Sequence, residues 1–391
     1  MFPVFKFWVA ALAASHVGLP AAGSALEAAS AERSKPQANA LDREPTAPRV
    51  AGRSELDFDD RYTTESFGIP VIAYTPETSA ILGAAMIFSM ENRAVQDPLQ
   101  SFGNATAVYT LRNQWGAFVD GAFYFWRDRV LVETDLDVRR WREFYFGIGD
   151  DPARDGDTYD FDGFQLELAG LRRFLFKGLY GGLVLRASLA RVTDTESPEL
   201  PTLRGGEGSD MLGGGVQLVF DRRDRTLWTR RGVYVRANGV RFSDAVVSDF
   251  SVTEWSLDVR GFAPLGAGFV LGGQLRAEIR DGDVPFFRQA VIGGSDRLRG
   301  TFAGRFRDDT GVWAQSELRT PYFWWRLAAV AFAGAGLVGP SLRSLDGRET
   351  VFSGGAGLRL GVTDDGANIR ADYAFASDRE SAFYFSLGEA F

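Results

Sequence analysis

The side chains that could do chemistry in this chain are almost all carboxylates and arginines. Its 391 residues include no cysteine, and the single histidine is His16. A serine–histidine–aspartate triad, a histidine general base and a conventional zinc site all require residue types that are missing after His16. Thiolate metal sites and cysteine nucleophiles are excluded in the same way. We therefore expect no enzyme activity, no cofactor and no specific metal site.

The densest group of carboxylates lies between residues 150 and 162, around Gly156. Oxygen ligands at such spacing suit Ca²⁺, and a glycine permits a sharp turn. The complete calcium-loop spacing with a closing glutamate is absent, however. We therefore interpret the segment as a solvated acidic loop and expect weak or no specific calcium binding. The carboxylates are those of Asp150, Asp151, Asp155, Asp157, Asp160 and Asp162.

The overall charge and composition restrict the partners and the kind of fold. A net charge of -8 disfavours a phosphate-binding surface, so we expect no nucleic-acid partner. The chain has 45 glycines, and 13% of its residues are aromatic. This mixture favours many strands joined by tight turns over packed helices.

The N-terminal part predicts export followed by a flexible connection. Lys6, the apolar run 7–14 and the small residues 22–25 form the pattern of a secretory signal peptide, which we assign to residues 1–25. The alternative for this segment is a buried N-terminal helix. Residues 26–66 are rich in alanine, serine, proline and charge, and we interpret them as a flexible periplasmic linker. Their number, about 40, is too small for a substantial further domain.

Residues 67–391 predict an all-β fold, a transmembrane antiparallel β-barrel of about 16 strands. No later stretch reaches the roughly 18 apolar residues of a spanning helix, and period-two alternation extends instead over the roughly 9–11 residues of a barrel strand. One face of each strand suits lipid, and the other carries charges of both signs and suits a wet interior. A soluble sandwich also alternates, but its strands are typically about 5–6 residues long. The alternation is clearest at residues 130–139, 269–280 and 367–375.

The connections between the predicted strands are of two lengths. Short ones include residues 126–129, 176–178, 264–268 and 364–366, and long ones include 143–162, 193–210, 281–309 and 338–349. Short periplasmic turns and long external loops produce this rhythm in outer-membrane barrels. We therefore expect the chain in a bacterial outer membrane, with its N-terminal end and Phe391 both on the periplasmic side.

Several motifs in this region point to a known family. The chain contains Tyr145-Phe-Gly147-Ile-Gly149, Asp221-Arg-Arg-Asp224 before Gly232, and Gly293-Gly-Ser-Asp-Arg-Leu298-Arg299-Gly300, and it ends with Phe385-Ser-Leu387-Gly388-Glu-Ala-Phe391. These motifs resemble those of the BamA/TamA-type outer-membrane protein family, also called the bacterial surface antigen superfamily. The linker is too short for the periplasmic repeat domains of that family, so the chain resembles a short member that lacks them.

The resemblance implies a role for two of these motifs outside the barrel interior. The ending is similar to a closing strand that the outer-membrane assembly machinery reads during biogenesis. The aspartate motif is similar to a periplasmic turn before the ninth strand of the family. The residues concerned are Phe385, Leu387, Gly388 and Phe391 for the assembly signal, and Asp221, Asp224 and Gly232 for the turn.

Arg299 carries the prediction of an internal loop. Arg299 and Gly300 resemble the tip of the sixth external loop, which in this family folds back into the barrel. A buried arginine needs a carboxylate partner because an unpaired buried charge is costly. Glu317, on the charged face of the next strand, is the candidate partner, so we predict these three residues as a loop lock. The alternative is that Arg299 is a solvated loop residue.

The chain departs from the family pattern at two positions in this region. Thr301 stands where an aromatic residue usually follows Arg-Gly, with Phe302 one residue later. In the family pattern Phe-x-Asp-x-Gly, two strands from the loop, Gly334 occupies the place of the acidic residue. We therefore expect a weaker lock, or one that relies on Glu317.

Two functions of different classes follow. The resemblance implies a protein that contacts outer-membrane lipids and assists insertion or export of proteins or lipids through a weakly paired seam between its first and last strands. Pro70 and Pro76 favour a weak seam because each lacks a ladder donor, although they could equally end a short strand. The alternative is a passive pore or structural barrel with no assembly role, since about 16 strands can enclose an aqueous channel. The sequence identifies neither a client nor a solute.

Overall fold

The computed structural model of the protein describes residues 62–75, 79–92, 99–362 and 366–391. The predicted signal peptide and nearly all of the predicted linker lie outside the described residues. The first strand begins at Tyr62, five residues before the barrel boundary predicted at residue 67. The added residues Tyr-Thr-Thr-Glu-Ser contain an aromatic and two β-branched side chains, which suit an extended strand.

The described residues form eighteen strands. They are β1 (Tyr62–Thr75), β2 (Ser79–Asn92), β3 (Ser101–Thr110), β4 (Trp115–Phe125), β5 (Val130–Tyr145), β6 (Asp157–Arg173), β7 (Leu179–Thr195), β8 (Gly208–Asp221), β9 (Gly232–Phe242), β10 (Val252–Gly266), β11 (Phe269–Gly282), β12 (Ala290–Ile292), β13 (Phe306–Asp308), β14 (Thr310–Arg319), β15 (Leu327–Gly339), β16 (Val351–Gly361), β17 (Asn368–Ala376) and β18 (Ser381–Leu387). Sixteen of them form one antiparallel sheet in sequence order, whereas β12 and β13 form a separate hairpin between β11 and β14. Short 3-10 helices lie at Leu200–Thr202, Phe286–Arg288 and Leu342–Leu345.

Side chains alternate between the inside and the outside of the large sheet. On β17 the inward Arg370 and Asp372 are buried, whereas the outward Phe375 is 58% exposed. On β11 the inward Gln274 and Glu278 are buried, and the outward leucines are exposed. The predicted all-β barrel of about 16 strands is therefore confirmed, together with the predicted faces of its strands.

The outer surface of the sheet is more apolar than a surface in water usually is. Leu183 is 71% exposed, and its cross-strand partner Val216 is 61% exposed. Large contiguous apolar surfaces of this kind mark contact with a partner or a membrane. An antiparallel barrel also pairs its backbone N–H and C=O groups between strands, as the hydrocarbon of a bilayer requires.

Within the described ranges, no helix is long and apolar enough to cross a membrane.

The connections lie at two ends of the barrel. The turn end carries residues 126–129, 174–178, 222–231, 267–268, 320–326 and 362–367. The loop end carries residues 111–114, 146–156, 196–207, 243–251, 283–309, 340–350 and 377–380. The four longest of these connections, 146–156, 196–207, 283–309 and 340–350, all lie at the loop end, as the sequence predicted, whereas 222–231 at the turn end is longer than the sequence predicted for a short turn.

The acidic segment is shorter as a loop than the sequence predicted. β5 extends to Tyr145 and β6 begins at Asp157, so the connection is 146–156 and not 143–162. Two cross-strand ion pairs, Arg140–Asp162 and Arg142–Asp160, extend the ladder into the predicted loop. Opposite charges facing each other on neighbouring strands stabilise such pairing.

The first and last strands are the edges of the sheet order. Among the described residues, no strand pair joins β1 to β18. β1 has 14 residues, whereas β18 has only 7. Pro70 lies within β1 opposite Ala84, and the strand continues on both sides of it, so this proline does not end the strand. It removes one ladder donor from an edge strand, which is where proline is tolerated. Pro76 lies outside the described residues.

Candidate functional site

The long connection 283–309 enters the barrel. Its short hairpin β12–β13 places Ile292, Leu298 and Phe306 in one buried apolar cluster with Trp313 of β14. Gly300 makes the close approach to the wall possible. Its φ is +119°, and a Cβ there would lie 2.7 Å from the carbonyl carbon of Phe375. Only glycine adopts this conformation at this distance without strain.

Arg299 is fully buried at the tip of this connection. Its Nη1 donates a hydrogen bond to Oδ2 of Asp372 at 2.8 Å, and its Nη2 lies 3.0 Å from Oε2 of Glu317 as an ion pair. The guanidinium also lies 3.5 Å from the centroid of the Phe332 ring. Two carboxylates and an aromatic face thus compensate one buried cation. Arg299 is not a solvated loop residue.

The two carboxylates serve further arginines. Glu317 accepts a hydrogen bond from Nε of Arg319 at 2.9 Å, and Asp372 accepts one from Nη1 of Arg359. Nη2 of Arg359 lies 3.4 Å from Glu317, and its Nε donates to Glu389 at 2.7 Å. Three cations and three anions therefore balance in one buried cluster. We call these six residues the lock network: Arg299, Glu317, Arg319, Arg359, Asp372 and Glu389.

Gly334 shows how the network differs from the family pattern. A Cβ at Gly334 would lie 2.8 Å from Cδ1 of Leu298, so the absence of a side chain makes room for the residue before Arg299. The carboxylate comes instead from Asp372 on β17. The sequence placed Asp372 on a charged face but did not identify it as a partner of Arg299.

The loop tip is also bonded to β18. The N–H of Gly300 donates to the Tyr384 hydroxyl at 3.0 Å, and this hydroxyl donates to the carbonyl of Thr301 at 3.1 Å. Thr301 Oγ1 donates to Asp378 Oδ2 at 2.9 Å. Phe302 points the other way and stacks on Phe146 of the connection 146–156. Thr301, which follows Arg-Gly directly, therefore makes a hydrogen bond, and the aromatic side chain of Phe302 packs from the next position in the sequence.

A second anchor, not predicted from the sequence, holds the same connection to β10. Nε and Nη2 of Arg288 donate to the two Glu254 oxygens at 2.7 and 2.6 Å. Arg186 and Arg280 also contact the Glu254 carboxylate, so this buried anion has several cations around it. A bidentate arginine–carboxylate contact is both strong and directional.

The predicted turn motif forms a local structure at the turn end. Asp221 Oδ1 accepts the backbone N–H of Arg223 at 3.0 Å, and Asp224 Oδ1 accepts that of Arg230 at 3.0 Å. Gly232 has a φ of +119°, and a Cβ there would lie 2.2 Å from the carbonyl oxygen of Arg222. Asp221, Asp224 and Gly232 thus each fix the path of the connection 222–231.

The residues of the predicted assembly signal separate into two groups. Phe385 lies on the outward row of β18, and Leu387 is the last residue of that strand. The chain then turns at Gly388, and Phe391 is only 6% exposed against Phe262 of β10. Recognition of this segment by the assembly machinery stays a prediction.

The acidic segment is used for contacts between loops. Asp150 accepts hydrogen bonds from Nη1 of Arg348 at 2.6 Å and from the N–H of Glu349 at 3.0 Å. The backbone N–H of Glu349, followed by the Arg348 guanidinium, holds the pKa of Asp150 below its usual value. In the part of the chain that the structure describes, no group of three His, Cys, Asp or Glu residues could hold a metal ion.

The fold and the buried loop define a class of protein, the outer-membrane β-barrels whose longest connection occupies the lumen. Within that class, residues 117–391 match the model of the Omp85 superfamily domain, and the chain belongs to this superfamily. The family predicted from the motifs is therefore confirmed.

Two solved structures share this fold. BamA from Haemophilus ducreyi lacking POTRA domains 1-3 has 13% sequence identity and a TM-score of 0.54, and the match covers 84% of this chain and 70% of that chain. CdiB from Acinetobacter baumannii has 14% identity and a TM-score of 0.51, and the match covers 83% of this chain and 59% of that chain. No curated protein matches the sequence. At such identities, the likeness to the two structures shows the fold alone.

Proposed function

We propose that this barrel assists the insertion or export of proteins or lipids at the outer membrane, without catalysing a chemical reaction. The observation that carries the proposal is the open order of the sheet, since no strand pair joins β1 to β18 in the described residues. A strand edge with unpaired N–H and C=O groups is a template for another strand. The template is stronger in a bilayer, because hydrocarbon supplies no hydrogen bonds.

The position of the loop lock supports this proposal. Tyr384 bonds the loop tip to β18, which is one of the two edge strands. Glu317 and Asp372 bond the same tip to β14 and β17. Undocking of the loop would therefore release β18 from its inner contacts, and the edge would become freer to pair with an incoming segment.

The proposed partners follow from the two surfaces of the barrel. The outward apolar row, with Leu183 and Val216, suits outer-membrane lipids. The assembly machinery is the proposed partner during biogenesis, through the outward Phe385 and its neighbours in β18. The client is a segment that can pair with a strand edge, and its identity is the object of the experiment.

The test is quantitative proteomics and lipid analysis of the outer membrane after deletion of the gene in its host. We expect selective loss of other barrel proteins or exported molecules, restored by the wild-type chain. Further complementing chains each carry two cysteines, one that replaces Phe385 on β18 and one that replaces Thr64, Ser66 or Gly68 on β1. These positions are on the outward faces of the two edge strands. Because the chain has no cysteine of its own, these pairs are the only disulfides that can form.

The control chain carries cysteines at Tyr373 and Phe383, which already face each other on β17 and β18. We expect the seam pair to abolish complementation until a reductant is added, and the control pair to complement under both conditions. An unchanged outer-membrane inventory after deletion would refute the proposal and support a passive pore or structural barrel. Conductance in planar bilayers would then separate those two.

A further inference from the structure

The segment Gly388–Phe391 leaves the sheet and turns into the barrel. Gly388 has a φ of +77°, which redirects the chain directly after β18. Its N–H donates to the carbonyl of Asn368 at 2.8 Å, so the turn is fixed to the beginning of β17. The next three residues therefore point into the lumen at the turn end.

Glu389 fills a carboxylate pocket in the wall. Its Oε2 accepts a hydrogen bond from Nε of Arg359 at 2.7 Å, and its Oε1 accepts one from Nδ2 of Asn368 at 2.8 Å. Arg359 is fully buried, and Asn368 is nearly so. Both donors are held by their strands, so the pocket is preorganised for one carboxylate.

Phe391 fills an aromatic slot on another part of the wall. Its ring stacks on Phe262 of β10 with centroids 6.1 Å apart, and the Arg319 guanidinium lies 5.7 Å from the ring. A Cβ at Gly272 of β11 would lie 3.2 Å from the Phe391 ring, so this glycine makes room for the aromatic side chain. Val270 completes the buried cluster.

The segment thus spans the lumen from the last strand of the sheet to β10 and β11, which precede it by several positions in the sheet order. It contacts three parts of the wall by a carboxylate, a backbone N–H and an aromatic ring two residues after the carboxylate. Residues that merely ended a strand would need none of these contacts.

We propose that the carboxylate pocket and the aromatic slot together form a peptide-binding site, and that residues 388–391 are its exchangeable intramolecular ligand. The site takes an extended peptide with an acidic residue followed two positions later by an aromatic one. The protein's own segment occupies this site, and a competing peptide displaces the segment from it.

The charges around the site support an exchangeable acidic ligand. Arg370 lies directly opposite Arg359 in the ladder between β16 and β17, and both are buried. Among the described residues, Arg370 has no ion pair, and its Nη1 has no hydrogen bond. The lock network is neutral only when Glu389 is counted, so departure of Glu389 leaves one excess arginine in the network, beside the unpaired Arg370. The emptied site would therefore attract another carboxylate.

Exchange at this site also reaches the loop lock. Arg359 contacts Glu389 on one side and Glu317 and Asp372 on the other, and these two carboxylates hold Arg299. Loss of Glu389 frees Arg359 to shift toward the carboxylates shared with Arg299. Occupancy at the turn end is thereby linked to the docking of the loop. This inference does not depend on the proposed insertion or export activity.

The test is binding of a fluorescent peptide to the full chain in detergent. The probe peptides are Gly-Glu-Ala-Phe and its counterpart Gly-Gln-Ala-Phe, followed by fluorescence anisotropy. The variant that vacates the site is Glu389→Gln with Phe391→Ala, and heat-modifiable gel mobility reports whether it is folded. The matched control is Glu349→Gln with Phe352→Ala, which makes the same chemical changes at exposed positions.

We expect the vacated variant to bind the glutamate peptide at least tenfold more tightly than the wild type or the control does. We expect the glutamine peptide to bind at least tenfold more weakly than the glutamate peptide, and Arg359→Gln in the vacated variant to remove this preference. A folded vacated variant that binds neither peptide, or binds both equally, would overturn the proposal.

A second measurement keeps the test decisive if the vacated variant does not fold. Cysteines at Phe262 and Phe391 would form a disulfide that fixes the segment in its slot, and no other cysteine is present. We expect the oxidised protein to exclude the glutamate peptide and the reduced protein to bind it. Equal binding before and after reduction would contradict an exchangeable ligand.

Discussion

The substitution Arg299→Ala tests whether the lock network holds the long connection inside the barrel. After this change Glu317 keeps Arg319 and Arg359, and Asp372 keeps Arg359. Removing one partner of a buried ion pair typically costs about 3–5 kcal/mol. Because both carboxylates keep a cation, we expect the lower end, about 3 kcal/mol, in the free energy of loop docking. This corresponds to a roughly hundredfold larger undocked population, since about 1.4 kcal/mol is a factor of ten.

The assay uses the absence of natural cysteines. Thr301→Cys introduces a single thiol at a fully buried position of the loop tip. Its rate of maleimide labelling in the folded protein reports how often the loop undocks. We expect Arg299→Ala to raise this rate about a hundredfold. Arg299→Lys should have an intermediate effect, because a lysine keeps the charge but lacks the planar fork that reaches two carboxylates.

The control is Arg343→Ala, which removes an exposed arginine from the short helix Leu342–Leu345 at the loop end. It should change neither the labelling rate nor the melting midpoint. If Arg299→Ala also leaves both unchanged, the buried contacts do not hold the loop and the reasoning is wrong. An equal rise in both variants would indicate general loosening of the loop end and not a lock.

Three further perturbations test other parts of the site. Arg288→Ala should destabilise the second anchor by about 3 kcal/mol, measured as a lower melting midpoint, because Glu254 loses its bidentate partner. Gly300→Ala should destabilise the docked loop by about 1–3 kcal/mol through its positive φ, whereas Gly170→Ala, where a Cβ meets nothing within 4 Å, should not. The pKa of Asp150 is lowered in the folded protein. Its contribution to the free energy of unfolding is therefore present above its unfolded pKa of about 3.9 and is lost as the pH falls through the lower folded pKa. The hydrogen-exchange rate of the Glu349 amide, relative to its intrinsic rate at each pH, should rise only in that acidic range, and Asp150→Asn should remove this pH dependence. A relative rate in the wild type that does not change with pH would contradict this contact.

The fold could be predicted from the sequence because its signal is local. Period-two alternation assigns each residue of a strand to one of two faces without reference to distant residues. The faces of β5, β11 and β17 followed directly from the pattern. The predicted extent of the connection between β5 and β6 was wrong. Cross-strand ion pairs such as Arg142–Asp160 extend both strands, whereas a high content of charged residues in the sequence suggested a loop.

The candidate site could be predicted only in part. Glu317 follows the loop closely in sequence, so its place on the next charged face was a usable signal. Asp372 lies 73 residues from Arg299, and their contact depends on the stagger of β14, β16 and β17, which no local pattern contains. The contact between Arg288 and Glu254 depends in the same way on where the loop enters the lumen.

The energetics of the lock network suit a loop that is either docked or undocked. A buried ion pair contributes little net stability, because desolvation offsets the attraction, but removal of one partner is strongly unfavourable. A cluster of three arginines and three carboxylates is therefore acceptable when complete and unstable when one member leaves. Arg299 is contributed by the loop and Glu389 by the segment after β18, whereas the other four members belong to the wall. If the proposed exchange occurs, withdrawal of either Arg299 or Glu389 would unbalance the charges that hold the other, and the loop end and the turn end of the barrel would be coupled through the wall.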